Sequence, residues 1–153
     1  MILQKQPNGW SCAPTAWAMA FNVPVTTIIQ ALGHDGGLIQ WPDKPEPKCR
    51  KGFHFQEFVR IALTHCNAVT PVELFPVLDD VALIFDDNWN FFNNIIQTSR
   101  GVIEGQGHFC KHAVAYEYGL IYDPAGEIYP YSREACEQRD FYSQCAWRLT
   151  DAV

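Results

Sequence analysis

No two cysteines in these 153 residues stand as a C-x-x-C pair, which removes the ligand spacing of a zinc ribbon. Also missing is any run of about 20 apolar residues, the length a membrane helix needs. The opening "MILQKQPNGWSC" has no apolar core of signal-peptide length. Positive charge is scarce: 11 Lys and Arg face 17 Asp and Glu, for a formal net charge of −6. That balance argues against a nucleic-acid partner, whose binding needs a basic face. The one basic cluster, "KPEPKCRKG" at 44–52, is broken by prolines and is expected to be a plain loop rather than a substrate-side rim, with residues 40–54 either covering the cleft as a lid or lying against the surface. Repeats and low-complexity tracts are absent. These absences leave a cytosolic chain with neither membrane nor nucleic acid as partner. In that compartment the six cysteines at 12, 49, 66, 110, 136 and 145 are expected as free thiols.

What is present is material for a core. Hydrophobic residues make up 48% and aromatic residues 14%, enough for one folded domain of this length. "SCAPTAWAMAF" predicts a helix over 12–21, with Pro14 in the first turn, where a missing N–H is harmless. "VPVTTIIQALGHDGG" predicts a short helix with Thr26 as cap and Gly33 as stop. Phe55, Phe58, Val59, Ala62 and Leu63 recur at helical spacing. "VTPVELFPVL" reads as extended, and "DDNWNFFNNIIQTSRG" as a helix ending at Gly101. Beyond residue 100 the texture changes. "GVIEG", "KHAVAYEY", "GLIYDPAG", "GEIYPYS" and "QCAWRLT" are short β-branched or aromatic runs punctuated by Gly and Pro, the pattern of consecutive antiparallel strands. Helices followed by a sheet predict an α+β fold, with a helical lobe over 1–100 and a sheet lobe over 101–153.

Chemistry concentrates at "QPNGWSCAPTAW" (6–17). A cysteine there is either a small core residue or a nucleophile. The second reading needs a base to hold the thiolate and a group to orient that base. His112 opens the apolar run "HAVAY", and Asp123 closes the next strand in "IYDPAG". A two-residue turn at Tyr118-Gly119 pairs Glu117 with Leu120 and puts His112 on the same face as Asp123, on the diagonal. A turn at Glu117-Tyr118 sets them directly opposite. Both registers allow contact, whereas a one-residue slip separates them. At a helix start, first-turn N–H groups favour an anion at Cys12 and offer one donor to an oxyanion, and the Gln6 amide offers a second.

Other residues carry plainer readings. His108, Cys110 and His112 alternate, which with Asp123 is a possible zinc set, but Gly105 and Gly107 point to a turn over 105–110. His34 in "GHDGG" is expected at a helix stop, and His54 and His65 on helix surfaces or in packing. Trp10, Trp17 and Trp41 are expected in the core, with Trp10 also able to wall a cleft.

The ordered set Gln6, Cys12, His112, Asp123 resembles the papain-like cysteine peptidases. Within that superfamily, "QPNGWSCAPTAWAMA", "ALGHDG" and "HAVAYEYGLIYDPAG" are similar to the bacteriocin-processing, double-glycine-leader peptidases, here as a stand-alone domain. Ala13 stands where that family usually has Gly. The resemblance implies a papain-like fold with the cleft between helical lobe and sheet. It implies a thiol protease with Cys12 as nucleophile, His112 as general base, Asp123 as its orienter and Gln6 as oxyanion donor. A peptide or protein is the implied substrate, and no cofactor is required. The same residues would serve deamidation, transglutamination or acyl transfer, and a non-catalytic binding module on this scaffold is the reading from outside enzymology.

Overall fold

The computed structural model describes residues 1–44, 49–64, 67–74, 93–108 and 110–151. Among them the fold is α+β. Helices α1 (Cys12–Phe21), α2 (Val25–Leu32) and α3 (Phe55–Thr64) precede all strands of a six-stranded antiparallel sheet. Its strands are β1 (Asn67–Leu74), β2 (Arg100–Gln106), β3 (Lys111–Glu117), β4 (Leu120–Asp123), β5 (Glu127–Pro130) and β6 (Tyr142–Asp151). They lie in the order β1-β6-β2-β3-β4-β5. A helical stretch over 93–98 (α4) leads into β2, and α5 (Arg133–Glu137) joins β5 to β6.

Alternation along the strands divides the core in two. Val102, Ala113, Ala115, Tyr122 and Leu149 face α1 to α3, and Ile103, Val114, Tyr116, Ile121 and Ala146 face the other way, onto Ile96 of α4, Ala135 of α5 and Phe141. Helix α1 is apolar almost all round and is accordingly buried from Pro14 to Ala20. Trp17 lies flat on Phe58 of α3, with centroids 5.5 Å apart and planes 8° apart. Burial of a side chain that size contributes roughly 1.5–3 kcal/mol, so this stack fixes α1 against α3. Among the described residues no single helix is long and apolar enough to cross a membrane.

Several expectations need correction. Strand β1 lies before residue 100 yet pairs with β6, so the sheet draws on both proposed lobes. Its Pro71 is accommodated by a register shift between Pro71 and Glu73. Thr26 does not cap α2; Pro24 takes that position in extended backbone, and the missing proline N–H suits it to an uncapped start. Gly33 does end the helix, at φ 75°. The described part of the helix before β2 stops at residue 98, because Gly101 is already in strand: a Cβ there would meet the Trp147 carbonyl oxygen at 1.8 Å. Residues 86–92 of that expectation lie outside the described residues, as do His65 and Cys66. Gly105 belongs to β2, which runs to Gln106, and beyond it the Gly107 N–H bonds the Cys110 carbonyl at 2.8 Å. Trp17 is fully buried, but Trp41 is 56% exposed and Leu63 68% exposed, Ile61 taking the buried position on α3.

Candidate active site

The site begins with a turn. Tyr118 (φ 46°) and Gly119 (φ 85°) form the two-residue connection of β3 and β4, both left-handed, as the right-handed twist of a tight hairpin demands. Glu117 therefore pairs with Leu120, and Ala115 with Tyr122. One step further along, Val114 stands beside Asp123, and His112 falls on the diagonal of the same face. The predicted contact forms: His112 Nε2 lies 2.9 Å from Asp123 Oδ1. The side chains are 23% and 10% exposed, so the pair is shielded but reachable.

The carboxylate is held on more than one side. Oδ1 also accepts the Ala125 N–H at 2.8 Å, an Asx turn built by the Asp-Pro sequence. Tyr129 Oη donates to Oδ2 at 3.5 Å. Burial alone would raise the Asp123 carboxyl, but the hydrogen bond and charge of His112, with these donors, hold it below the usual range. Burial likewise opposes a charged His112. Hydrogen bonds to Asp123 and to Cys12, and the charges of both, outweigh that and push the imidazole up to about 10. The ring is thus an imidazolium at neutral pH. Since Nε2 is taken by Asp123, Nδ1 is the nitrogen left for the thiol. Phe141 meets the ring edge-on, with centroids 5.9 Å apart at 90°.

Cys12 is the first residue of α1 and is partly exposed. The helix mouth above it is unusually open to an anion. Ser11 sits at the N-cap but makes no capping bond, since its backbone (φ −100°, ψ 25°) is not the extended one a capping residue uses; its hydroxyl donates to Asn8 Oδ1 at 2.6 Å. Pro14 has no N–H, and the Thr15 N–H is already bonded to the Ser11 carbonyl. The orphan amides of the first turn are those of Cys12 and Ala13. Asn8 Oδ1 also takes the Trp10 N–H at 3.1 Å, so one side chain shapes the approach to the thiol.

Gln6 reaches the same region through its backbone. Its N–H donates to the Pro124 carbonyl at 2.9 Å, tying the N-terminal segment to the turn that follows Asp123. Its Oε1 is buried with no hydrogen-bond partner. A buried amide left unsatisfied costs about 1–3 kcal/mol and calls for an explanation.

The remaining candidates are engaged elsewhere. His34 Nε2 bonds Glu57 at 2.7 Å and its Nδ1 accepts the Gly36 N–H, a clasp between the end of α2 and the start of α3. His54 is exposed, and its N–H caps onto Glu57. His108 pairs with Asp140 at 2.7 Å on the surface. Among the described residues no three His, Cys, Asp or Glu side chains gather to hold a metal. Glu104 is a half-buried carboxyl pushed up by desolvation, with Lys111 opposing. The flanks of the basic loop pair with each other, Ile39 bridged to Arg50 and the Lys51 N–H on the Leu38 carbonyl. Its Arg50 guanidinium lies 3.7 Å above the Trp10 ring, two residues before Cys12. Residues 45–48 of this loop lie outside the described residues.

Sequence reasoning missed Asn8, Tyr129 and Phe141. Strand alternation was the available signal for Tyr129, which pairs with Ile121 and so shares a face with Asp123. Asn8 and Phe141 sit in loops, where no periodicity points to them. A scan of protein-family models finds no match to this chain, and a search of curated proteins finds none.

Proposed function

We propose that the protein is a cysteine peptidase of papain-like fold that hydrolyses peptide or isopeptide bonds by thiolate acyl transfer, in the cytosol. The observation that carries this reading is the His112 ring, bonded by Nε2 to Asp123 at 2.9 Å, with Cys12 at an uncapped helix start among the groups that raise it. An imidazolium beside the sulfur is the charge partner that a thiolate nucleophile needs.

In this mechanism the Cys12 sulfur attacks the carbonyl carbon, forming a C–S bond and an oxyanion. The Cys12 backbone N–H and the Gln6 amide bind that oxyanion, with the Ala13 N–H beside them. His112 gives its proton to the amine as the C–N bond breaks, leaving a thioester. The now neutral His112 takes a proton from water, whose oxygen displaces Cys12. Asp123 keeps the ring oriented and stabilises its charged form. No step calls for a cofactor.

The test is labelling with an electrophilic peptide warhead, followed by mapping of the modified cysteine. Modification of Cys12, and loss of iodoacetamide-sensitive hydrolysis in a folded Cys12→Ala variant, support the reading. Undiminished hydrolysis in that variant ends it. Product mass with an added amine separates hydrolysis from acyl transfer, and labelling without turnover of any peptide or amide indicates a binding module.

A further inference from the structure

Asp123 has two carboxylate oxygens, and the triad accounts for one. Oδ1 serves His112 and the Ala125 N–H, while Oδ2 is turned toward the Tyr129 hydroxyl. We propose that Tyr129 is a positioning residue for the Asp123–His112 pair, its phenol holding Oδ2 so that Oδ1 stays aimed at the imidazole. This rests on the reading of Cys12, His112 and Asp123 given above.

Three observations carry it. First, β5 pairs with β4 through Ile121 and Tyr129, which sets the phenol on the face of Asp123 and within the same packed cluster as Phe141. Second, Tyr129 is only 3% exposed, so its hydroxyl needs an acceptor inside the protein, and Asp123 is the one it has. Third, the Arg139 guanidinium lies 4.1 Å above the phenol ring, itself anchored to Glu127 Oε2 at 2.9 Å and to the Ala135 carbonyl at 3.0 Å. A cation on the ring face withdraws electron density and makes the O–H a better donor. Burial and the charge of Asp123 keep the phenol protonated. The charged or titratable groups that act on the pair are then Cys12 from α1, His112 from β3, Tyr129 and Glu127 from β5, Cys136 from α5, and Arg139 after it. Even the long 3.5 Å bond at Oδ2 restrains the carboxylate from rotating about its Cβ–Cγ bond, and rotation is what a triad orienter must resist.

Tyr129→Phe removes the donor and keeps the ring. Without it, more of the carboxylate's charge is left to His112. The expected result in Cys12-dependent hydrolysis is a roughly 3–10-fold lower kcat with KM unchanged. In a Cys12→Ala background, NMR titration of His112 should show its midpoint moving up by about 0.5–1 pH unit on adding Tyr129→Phe. Arg139→Gln, at the surface, should move it in the same direction by less, and decides the matter if Tyr129→Phe does not fold. A His112 midpoint unchanged in the folded variants overturns the proposal. The two readings separate: if the wild type shows no Cys12-dependent turnover, the proposed function falls, while the titration still decides whether Tyr129 acts on the pair.

Discussion

His112 and Asp123 meet across the diagonal of the β3–β4 hairpin, Nε2 to Oδ1 at 2.9 Å, because Tyr118 and Gly119 turn the chain in two residues. The bond leaves the other ring nitrogen facing the Cys12 thiol, and it makes the charged ring the stable form. Everything proposed for the site passes through this contact, and each element of it can be removed separately.

Asp123→Asn keeps the shape of the side chain and removes its charge. An amide nitrogen facing Nε2 would also favour the wrong tautomer. Turnover should fall roughly 10²–10⁴-fold with the fold intact. The His112 titration should move down, since the group that outweighs its burial is gone. Wild-type turnover with an unmoved His112 would show that Asp123 orients nothing.

Gln6→Ala tests the oxyanion role apart from the triad. The expected loss in kcat is roughly 10²–10³-fold, with KM little changed, because the donor acts on charge that develops only in the transition state. Alkylation of Cys12 by iodoacetamide should persist, since that reaction forms no oxyanion. If peptide turnover and alkylation fall together, Gln6 supports the N-terminal segment instead, through its bond to the Pro124 carbonyl.

How much of this was readable in advance follows from how local each signal is. Helix α1, the Gly33 stop and the strand runs after residue 100 are short-range patterns and appear with the predicted bounds or nearly so. The His112–Asp123 contact was readable because one turn fixes the register of both residues. Strand β1 joining the far edge of the sheet was not, since its pairing with β6 spans more than seventy residues and leaves no local mark. The diversion of the Ser11 hydroxyl to Asn8 was equally hidden. A serine before a helix predicts a cap, and only the folded loop shows that its backbone leaves the extended conformation a cap uses. Trp41 misled for the opposite reason: its apolar bulk predicts burial, yet it is 56% exposed two residues from the Ile39–Arg50 bridge.

The turn that aligns the site also carries strain. Tyr118 adopts φ 46° while 66% exposed, a conformation that suits Asn or Gly better than an aromatic residue. Left-handed backbone at a residue other than Gly costs roughly 1–3 kcal/mol, less for Asn. Tyr118→Asn should therefore raise stability by about 0.5–1 kcal/mol, read as a higher denaturation midpoint with an unchanged slope. Gly119→Ala should do the reverse, because a φ of 85° strains any L side chain, while the Gln97 amide near its Cβ can move aside. Insertion of one residue in this turn should abolish activity without unfolding the sheet, by slipping His112 to the other face.

The charge state of the pair makes stability depend on pH in a defined way. His112 is raised from 6.5 to about 10, so the folded state holds its proton more tightly than the unfolded chain does. Its contribution is complete below pH 6.5 and is lost as pH climbs through about 10. Asp123 is lowered from 3.8, so its contribution is complete above 3.8 and is lost as pH falls through its lower folded value. The two limbs report one interaction, which is therefore at full strength between about pH 4 and 6.5. Urea denaturation of wild type and His112→Gln, compared at pH 5.5, 7.5 and 9.5, should show a stability gap that is largest at 5.5 and narrows toward 9.5. Turnover should decline over the same alkaline range, as the ring loses the proton it must give to the leaving amine. A gap that widens with pH would mean that His112 is buried as the neutral imidazole, and the thiol would then have no cation beside it.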